Sequence, residues 1–245
     1  METSVLSVKD LTVSFDGYKV VDNLSFDIAP DELRVIIGPN GAGKTTVLDL
    51  ISGKTKPTAG SVKLNGREIM GARENVIVEL GLGRKFQTPS ICEDLSVLEN
   101  LEISFPRGRG VFGALFFSRD DEVVNRINEV AEIIYLKDDL ETDAASLSHG
   151  QKQWLEIGML LMQDPKVMML DEPVAGMTMN ERKQTAKLLN KICQGRSVIV
   201  IEHDMNFVKE IAQTVTVMHQ GSVLSEGKME DVQNDPQVIE VYLGH

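Results

Sequence analysis

Hydrophobic and polar residues alternate with two different periods along this chain, and the period changes several times. The first segments, SVLSVKDLTVSF and KVVDNLSFDI, have the alternation of half-buried strands, with the turn signal DGY between them. The next segment, LRVIIG, is a continuous apolar run, as in strands that are buried on both faces. The N-terminal part is therefore predicted to be rich in β-structure and to lead into a buried strand.

Helical and strand patterns share the rest of the chain. KTTVLDLIS has a helical pattern that ends at Gly53, and SVKLNGREI is predicted to form a hairpin with its turn at Asn65-Gly66. From about residue 88 to 164, apolar residues recur at three- and four-residue spacing, which predicts helices. Strands and helices then alternate again, and a last hairpin is predicted to turn at Gln220-Gly221.

This order of elements predicts an α/β sheet domain that is interrupted by a helical insertion. Residues 1–87 and 166–245 are predicted to form the α/β core with an antiparallel β subdomain, and residues 88–165 the helical subdomain. The chain has 245 residues, of which 42% are hydrophobic, so a buried core is readily built.

Charge and composition argue against several classes of function. The formal net charge is −12, which argues against a nucleic-acid-binding surface. Cys92 and Cys193 have neither metal-ligand spacing nor a disulfide framework, and indicate a reduced, cytosolic protein. No apolar stretch approaches the roughly 20 residues that cross a bilayer. The chain is therefore expected to work at a membrane only through a partner.

The segment GPNGAGKTT has the pattern of a P-loop and lies between a predicted strand and a predicted helix. Backbone amides of such a loop surround phosphate oxygens, Lys44 can reach the β- and γ-phosphates, and the Thr45 hydroxyl can bind Mg²⁺. The alternative is a glycine-rich turn without a ligand. The residues predicted to bind nucleotide are Gly38, Pro39, Asn40, Gly41, Ala42, Gly43, Lys44, Thr45 and Thr46.

Polar residues at the ends of two later strands complete a hydrolytic site. VMMLDE ends in Asp171, which suits Mg²⁺, and Glu172, which can orient or deprotonate the attacking water. His203 follows the apolar run VIVI and can donate a hydrogen bond to the γ-phosphate. Gln87 lies where the sheet domain meets the insertion and can contact Mg²⁺ or water. Each of these residues also has a purely structural interpretation when it is taken alone.

A second candidate anion site is LSHGQ, in which Ser148 and Gln151 have the spacing of a capping box. The structural interpretation is a capped helix that runs to Gln163. The functional interpretation adds a phosphate that binds Ser148, Gly150 and Gln151 from the side opposite to the P-loop.

These five segments resemble, in sequence order, the Walker A, Q-loop, signature, Walker B and H-loop motifs of the ABC-transporter ATPases. The resemblance implies that two subunits pack head to tail and that each binds ATP and Mg²⁺ between one P-loop and the other subunit's signature helix. It also implies that Phe15 stacks on adenine, with Tyr18 as the alternative. The implied partners are membrane permease subunits and, indirectly, a solute-binding protein, with the ATPase at the cytoplasmic face of the inner membrane.

Longer segments, including GRKFQTPSICEDLSVLENL and DPQVIEVYLG, are similar to the ATPases of urea importers, in the group that includes branched-chain amino-acid importers. This group usually has two different ATPase subunits. The similarity therefore implies a heterodimer in the cell and leaves a homodimer open for the isolated chain.

Two positions depart from the family pattern. His149 replaces the first glycine of the common LSGGQ signature, and its side chain is expected to point away from the phosphates. Thr178 stands where the family often has an aspartate that crosses to the partner site, so that communication between the two sites is in question.

Other functions remain as alternatives. An ATPase of a branched-chain amino-acid or related amide importer fits the same motifs, and so does an ABC protein that acts on DNA or ribosomes. The acidic balance and the single cassette argue against the latter. A nucleotide sensor without turnover conflicts with Glu172 and His203, and a small-molecule kinase would need an acceptor site.

Overall fold

The computed structural model of the protein describes residues 4–85, 91–106 and 120–243, and the chain divides into two compact units. The first unit comprises Met1–Arg84, Lys166–Pro173 and Ile192–His245, and the second comprises Lys85–Pro165 and Val174–Lys191. The boundaries expected from the sequence differ mainly at 174–191, which the sequence pattern places in the α/β core and which groups here with the helical residues.

The described strands form two sheets. They are β1 (Leu6–Phe15), β2 (Tyr18–Ile28), β3 (Leu33–Ile37), β4 (Ala59–Leu64), β5 (Arg67–Glu68), β6 (Leu82–Lys85), β7 (Val167–Asp171), β8 (Ser197–Ile201), β9 (Thr214–His219) and β10 (Ser222–Gly227). The order β2-β1-β4-β5 makes an antiparallel sheet, and β10-β9-β3-β8-β7-β6 makes a mixed sheet. β3 is parallel to β8 and β9, and β7 is parallel to β8. The predicted α/β fold with a mixed sheet and an antiparallel subdomain is confirmed.

The described helices are α1 (Lys44–Ile51), α2 (Glu74–Glu79), α3 (Val97–Ser104), α4 (Asp121–Ile133), α5 (His149–Leu161), α6 (Met179–Ile192), α7 (Met205–Ile211), α8 (Met229–Val232) and α9 (Pro236–Leu243). None of the helices in these three ranges is both long and apolar enough to span a bilayer.

Local sequence explains the central strands and the hairpins of the first unit. Every residue of β3, β7 and β8 is buried, as their continuous apolar runs predict. Asn65 and Gly66 turn between β4 and β5 with φ of 49° and 76°. Gln220 and Gly221 turn between β9 and β10 with φ of 47° and 82°. Positive φ at both central residues is the type I′ requirement, so both predicted hairpins are confirmed.

The second unit packs its helices around a glycine of α5. A Cβ at Gly158 would lie 2.5 Å from Ile134 Cδ1 and 3.1 Å from Leu101 Cδ2. The absence of a side chain therefore lets α5 approach α3 and the end of α4 closely. Trp154, also on α5, is 5% exposed, and its indole N–H donates to the Thr185 hydroxyl of α6 at 2.8 Å. That contact is one physical reason why 174–191 groups with the helical unit.

Candidate functional site

A glycine-rich loop joins the carboxyl end of β3 to the N-terminus of α1. Gly43 is the N-cap of α1 with φ of 96°, and Gly41 has φ of 80°. A Cβ at Gly43 would lie 2.7 Å from the Val20 carbonyl oxygen, and one at Gly38 would lie 2.4 Å from that of Met218. These positions therefore require glycine, and α1 begins without a side-chain cap on its amides, which suits an anion.

The Lys44 side chain folds back over this loop. Its Nζ donates to the carbonyl oxygens of Gly38 at 2.7 Å and Pro39 at 3.0 Å. Burial lowers the pKa of Lys44, and the carboxylates of Glu172 and Asp171 oppose that shift. A cation that is hydrogen-bonded to neutral carbonyls can form stronger, charge-assisted bonds with phosphate oxygens.

Thr45 and Asp171 form a pair of oxygen donors beside the loop. The Thr45 hydroxyl donates to Asp171 Oδ2 at 3.1 Å. Asp171 is 2% exposed at the end of β7, and burial raises the pKa of its carboxyl group while the Thr45 bond opposes the rise. Mg²⁺ prefers such oxygen donors and takes its other ligands from water and phosphate. In the described ranges no group of three or more His, Cys, Asp or Glu could hold a metal.

Glu172 and His203 follow the adjacent parallel strands β7 and β8. Glu172 has φ of 48°, which is uncommon for a residue with a Cβ, and its N–H donates to the Ile201 carbonyl at 3.0 Å. The side chains of Glu172 and His203 are 42% and 67% exposed. Glu172 Oε1 lies 3.4 Å from His203 Nδ1, so a carboxylate and an imidazole stand together where water has access.

The parallel register of β3, β7 and β8 brings these groups together. β7 pairs with β8 and β8 pairs with β3, so the carboxyl ends of all three strands lie at one edge of the sheet. The P-loop follows β3, Asp171 ends β7 and Glu172 comes directly after it, and His203 follows β8. In open α/β sheets this edge is where ligands bind.

The second unit contains the other predicted anion site, at the start of α5. Ser148 is the N-cap: its Oγ accepts from the Gln151 N–H at 3.2 Å, and Gln151 Oε1 accepts from the Ser148 N–H at 3.0 Å. The Ser148 hydroxyl also donates to Glu181 Oε1 at 3.0 Å, and the Gly150 N–H is among the groups that lower the pKa of the Glu181 carboxyl. The start of α5 therefore already contacts a carboxylate.

His149 contacts the loop that precedes α6. Its Nε2 lies 2.9 Å from the Ala175 carbonyl oxygen and therefore carries the proton of this hydrogen bond. A Cβ at Gly176, where φ is 73°, would lie 3.2 Å from the same ring nitrogen. The imidazole thus fits against a glycine that leaves room for it.

The remaining predicted residues are placed as follows. Phe15 and Tyr18 pair at the β1–β2 hairpin and are 47% and 71% exposed. Gln87, predicted to contact Mg²⁺ or water, lies outside the described residues.

Sequence reasoning missed Glu181. Thr178 and Glu181 have the spacing of a capping box just after the strand that ends in Asp171, and this signal marks the start of α6. The spacing predicts the cap, but it does not predict that the same carboxylate also reaches Ser148.

Comparisons with known proteins agree with this geometry. The family described as ABC transporter matches residues 21–175, and the family described as branched-chain amino acid ATP-binding cassette transporter matches residues 222–245. The high-affinity branched-chain amino acid transport ATP-binding protein LivG of Escherichia coli is 33% identical and covers 100% of this chain and 99% of its own length. BraF of Pseudomonas aeruginosa, which carries the same description, has the same identity and coverage.

Solved structures are similar over the same length. A nucleotide-free ATP-binding cassette from an ABC transporter has a TM-score of 0.85 and 29% identity, over 99% of this chain and 100% of that one. The ADP conformation of an ATP-binding cassette has a TM-score of 0.86 and 30% identity, over 99% of both chains. With a family match over most of the chain and relatives that match its full length, the protein belongs to the ABC transporter family as one of its ATP-binding, ATP-hydrolysing subunits.

Proposed function

We propose that this chain powers a membrane importer by hydrolysing ATP at the edge of its mixed sheet, with Mg²⁺ as cofactor. One observation carries the proposal: the P-loop, the Thr45–Asp171 pair and the Glu172–His203 pair meet at the carboxyl ends of three parallel strands. Phosphate binding, cation binding and water activation are thereby combined at one place.

Each group has a distinct task in this proposal. Lys44 leaves its loop carbonyls for the β- and γ-phosphates, and the amides at the start of α1 bind the phosphate oxygens. Thr45 and Asp171 would hold Mg²⁺, which supplies neutralisation of phosphate charge. Glu172 takes the proton of the water that attacks the γ-phosphorus, and His203 donates a hydrogen bond to the γ-phosphate. ADP and inorganic phosphate are the products.

A complete site requires two subunits in this proposal. Ser148, Gly150 and Gln151 bind the ATP of a partner ATPase subunit, whose own signature helix binds the ATP of this chain, and Phe15 stacks on adenine. We propose a heterodimer in the cell and a homodimer for the isolated chain at sufficient concentration. Residues 88–165, with Gln87 at their boundary, then transmit closure of the dimer to permease subunits at the cytoplasmic face of the inner membrane.

For the transported solute we propose a branched-chain amino acid. The C-terminal family match and the names of full-length relatives, such as LivG, support this choice. Urea, the solute expected from the sequence, rests on likeness of segments alone and has no support from these relatives. The residues of the described site suit nucleotide groups, so this proposal assigns recognition of the solute to other subunits.

The test is ATP hydrolysis by the chain assembled with its permeases, second ATPase and binding protein in vesicles. We expect leucine or valine to stimulate phosphate release and urea to leave it unchanged. Lys44→Ala should reduce release at least about a hundredfold, since it removes a charge-assisted phosphate contact. Stimulation by urea alone would overturn the solute assignment, and unchanged hydrolysis by Lys44→Ala would overturn the site.

A further inference from the structure

The carboxylate of Glu181 occupies the N-terminal end of α5. Its Oε1 accepts from the Ser148 hydroxyl at 3.0 Å. A Cβ at Gly150 would lie only 2.4 Å from Oε1, so the glycine is what permits the carboxylate to come this close. Hydroxyl, amide and helix dipole all favour an anion at this point.

The other oxygen of Glu181 belongs to the start of α6. Oε2 accepts from the Thr178 N–H at 2.8 Å and from the Thr178 hydroxyl at 2.7 Å, and the Glu181 N–H donates to Thr178 Oγ1 at 3.3 Å. These bonds from Thr178 hold the pKa of the Glu181 carboxyl group below its usual range. The side chain is therefore ionised at neutral pH and bridges the N-termini of two helices.

Neither helix needs this bridge for its cap. Ser148 and Gln151 accept hydrogen bonds from each other's backbone N–H groups at the start of α5, and Thr178 and Glu181 do so at the start of α6. A third capping box, Ser96 with Glu99 at the start of α3, shows the same reciprocal bonds. The bond from Ser148 to Glu181 and the close approach of Glu181 to Gly150 are thus additional to capping, and they take the place that a phosphate would take.

We propose that Glu181 is an internal anion that holds the signature end of α5 until the partner subunit's ATP displaces it. This inference rests on the proposed function, because it takes Ser148 and Gly150 as the binding site of that nucleotide. The Ser148 hydroxyl has one proton and cannot donate it fully to Glu181 and to a phosphate together, and the Glu181 carboxylate lies where a phosphate would approach Gly150. Two anions at one helix end also repel each other.

Displacement needs only a local movement. Glu181 can keep its bonds to Thr178 through Oε2 while Oε1 swings away from Ser148, so the cap of α6 persists. The negative charge nevertheless stays near the entering phosphate and sets the ATP concentration at which the dimer closes. Glu181 is therefore a positioning residue for the site that binds the partner subunit's ATP. The turnover of the closed dimer does not depend on the charge of Glu181.

The test compares Glu181→Gln with Glu99→Gln, a matched change in the capping box of α3. In the Glu181→Gln variant the amide oxygen of the new side chain can still accept from Thr178, but the negative charge is lost. We expect the ATP concentration for half-maximal phosphate release to fall roughly three- to tenfold with kcat nearly unchanged. In the Glu172→Gln background, dimers should form at correspondingly lower ATP. Glu99→Gln should change neither quantity.

The outcomes separate this inference from the proposed function. If wild type hydrolyses ATP and Lys44→Ala does not, but Glu181→Gln leaves the half-maximal ATP concentration unchanged or raises it, Glu181 is only a helix cap. If wild type and Lys44→Ala behave alike, the proposed function fails instead. If the glutamine variant does not fold, Glu181→Asp takes its place in the same measurement, because aspartate keeps the charge but is one methylene too short to reach Ser148. It should also lower the half-maximal concentration, and a rise would overturn the inference.

Discussion

His203 Nδ1 lies 3.4 Å from Glu172 Oε1, at the ends of two adjacent parallel strands. Neither side chain is buried, so the contact is weak as a stabilising ion pair and leaves both groups free to turn toward a ligand. The left-handed φ of Glu172 also supports a functional role for this residue. Backbone strain of this kind persists where a site requires one particular side-chain placement.

Glu172→Gln should separate ATP binding from hydrolysis. The amide keeps the size of the side chain but cannot take a proton from water, so phosphate release should fall about 10²- to 10⁴-fold. ATP should then hold the two subunits together, and dimers should persist on gel filtration with ATP and Mg²⁺. Dimers that form equally without nucleotide would contradict this prediction. Monomers only would favour a weak homodimer or an obligate heterodimer.

Asp171→Asn should stabilise the nucleotide-free protein and impair catalysis. Burial raises the pKa of this carboxyl group above the model-compound value of 3.8, so ionisation costs stability in the folded state. The cost is absent below the unfolded-state pKa, grows as pH rises through the folded-state pKa, and is complete above it. The variant should therefore gain stability over wild type at pH 7, and the gain should shrink toward pH 4.

Urea unfolding between pH 4 and 8 measures that difference, and phosphate release measures the loss of the proposed Mg²⁺ ligand, at least about a hundredfold. A stability gain that is constant over the whole pH range would show that ionisation of Asp171 is not its cause.

His149→Gly, which restores the common signature, should retain ATPase activity within tenfold of wild type. The imidazole bonds to the Ala175 carbonyl and packs against Gly176, and it is not part of the capping box of α5. Loss of the hydrogen bond should cost about 1 kcal/mol of stability. His149→Ala is the control for the backbone effect of glycine. A drop in activity beyond tenfold in both variants would assign His149 a direct role at the phosphates.

Patterns that are local in sequence were sufficient for much of this protein. The buried strands β3 and β7 are continuous apolar runs, and the turn at Asn65-Gly66 requires residues that tolerate positive φ. The P-loop is likewise a single contiguous motif. In each case the residues that determine the local structure are neighbours in the chain, so a short stretch of sequence is enough to predict it.

Features that depend on distant partners were not predictable in the same way. The strand β6 contains Arg84 and Lys85, whose charges give no strand pattern, yet both are buried. Arg84 reaches Asp49 at 2.6 Å, and Lys85 reaches Glu156 at 3.1 Å, across tens of residues. The bond from Ser148 to Glu181 spans 33 positions in the same manner. No local spacing encodes such pairs, because folding alone brings the partners together.

Lys85 and Glu156 form an ion pair in which both side chains are almost fully buried, at 4% and 3% exposed. Lys85→Met or Glu156→Leu alone removes one partner of a buried ion pair and should cost about 3–5 kcal/mol of stability. The double variant replaces both charges by apolar groups of similar size and should recover most of that loss. Urea unfolding of the four proteins measures the coupling.

The more exposed pair of Lys152 and Glu93, at 2.7 Å, is the matched control in the same unit. Its double-mutant cycle should give a coupling of about 1 kcal/mol or less, because water screens the charges. If the two losses at Lys85 and Glu156 simply add in the double variant, the buried charges do not stabilise each other. The burial of Lys85, two residues before Gln87, would then need apolar packing as its explanation.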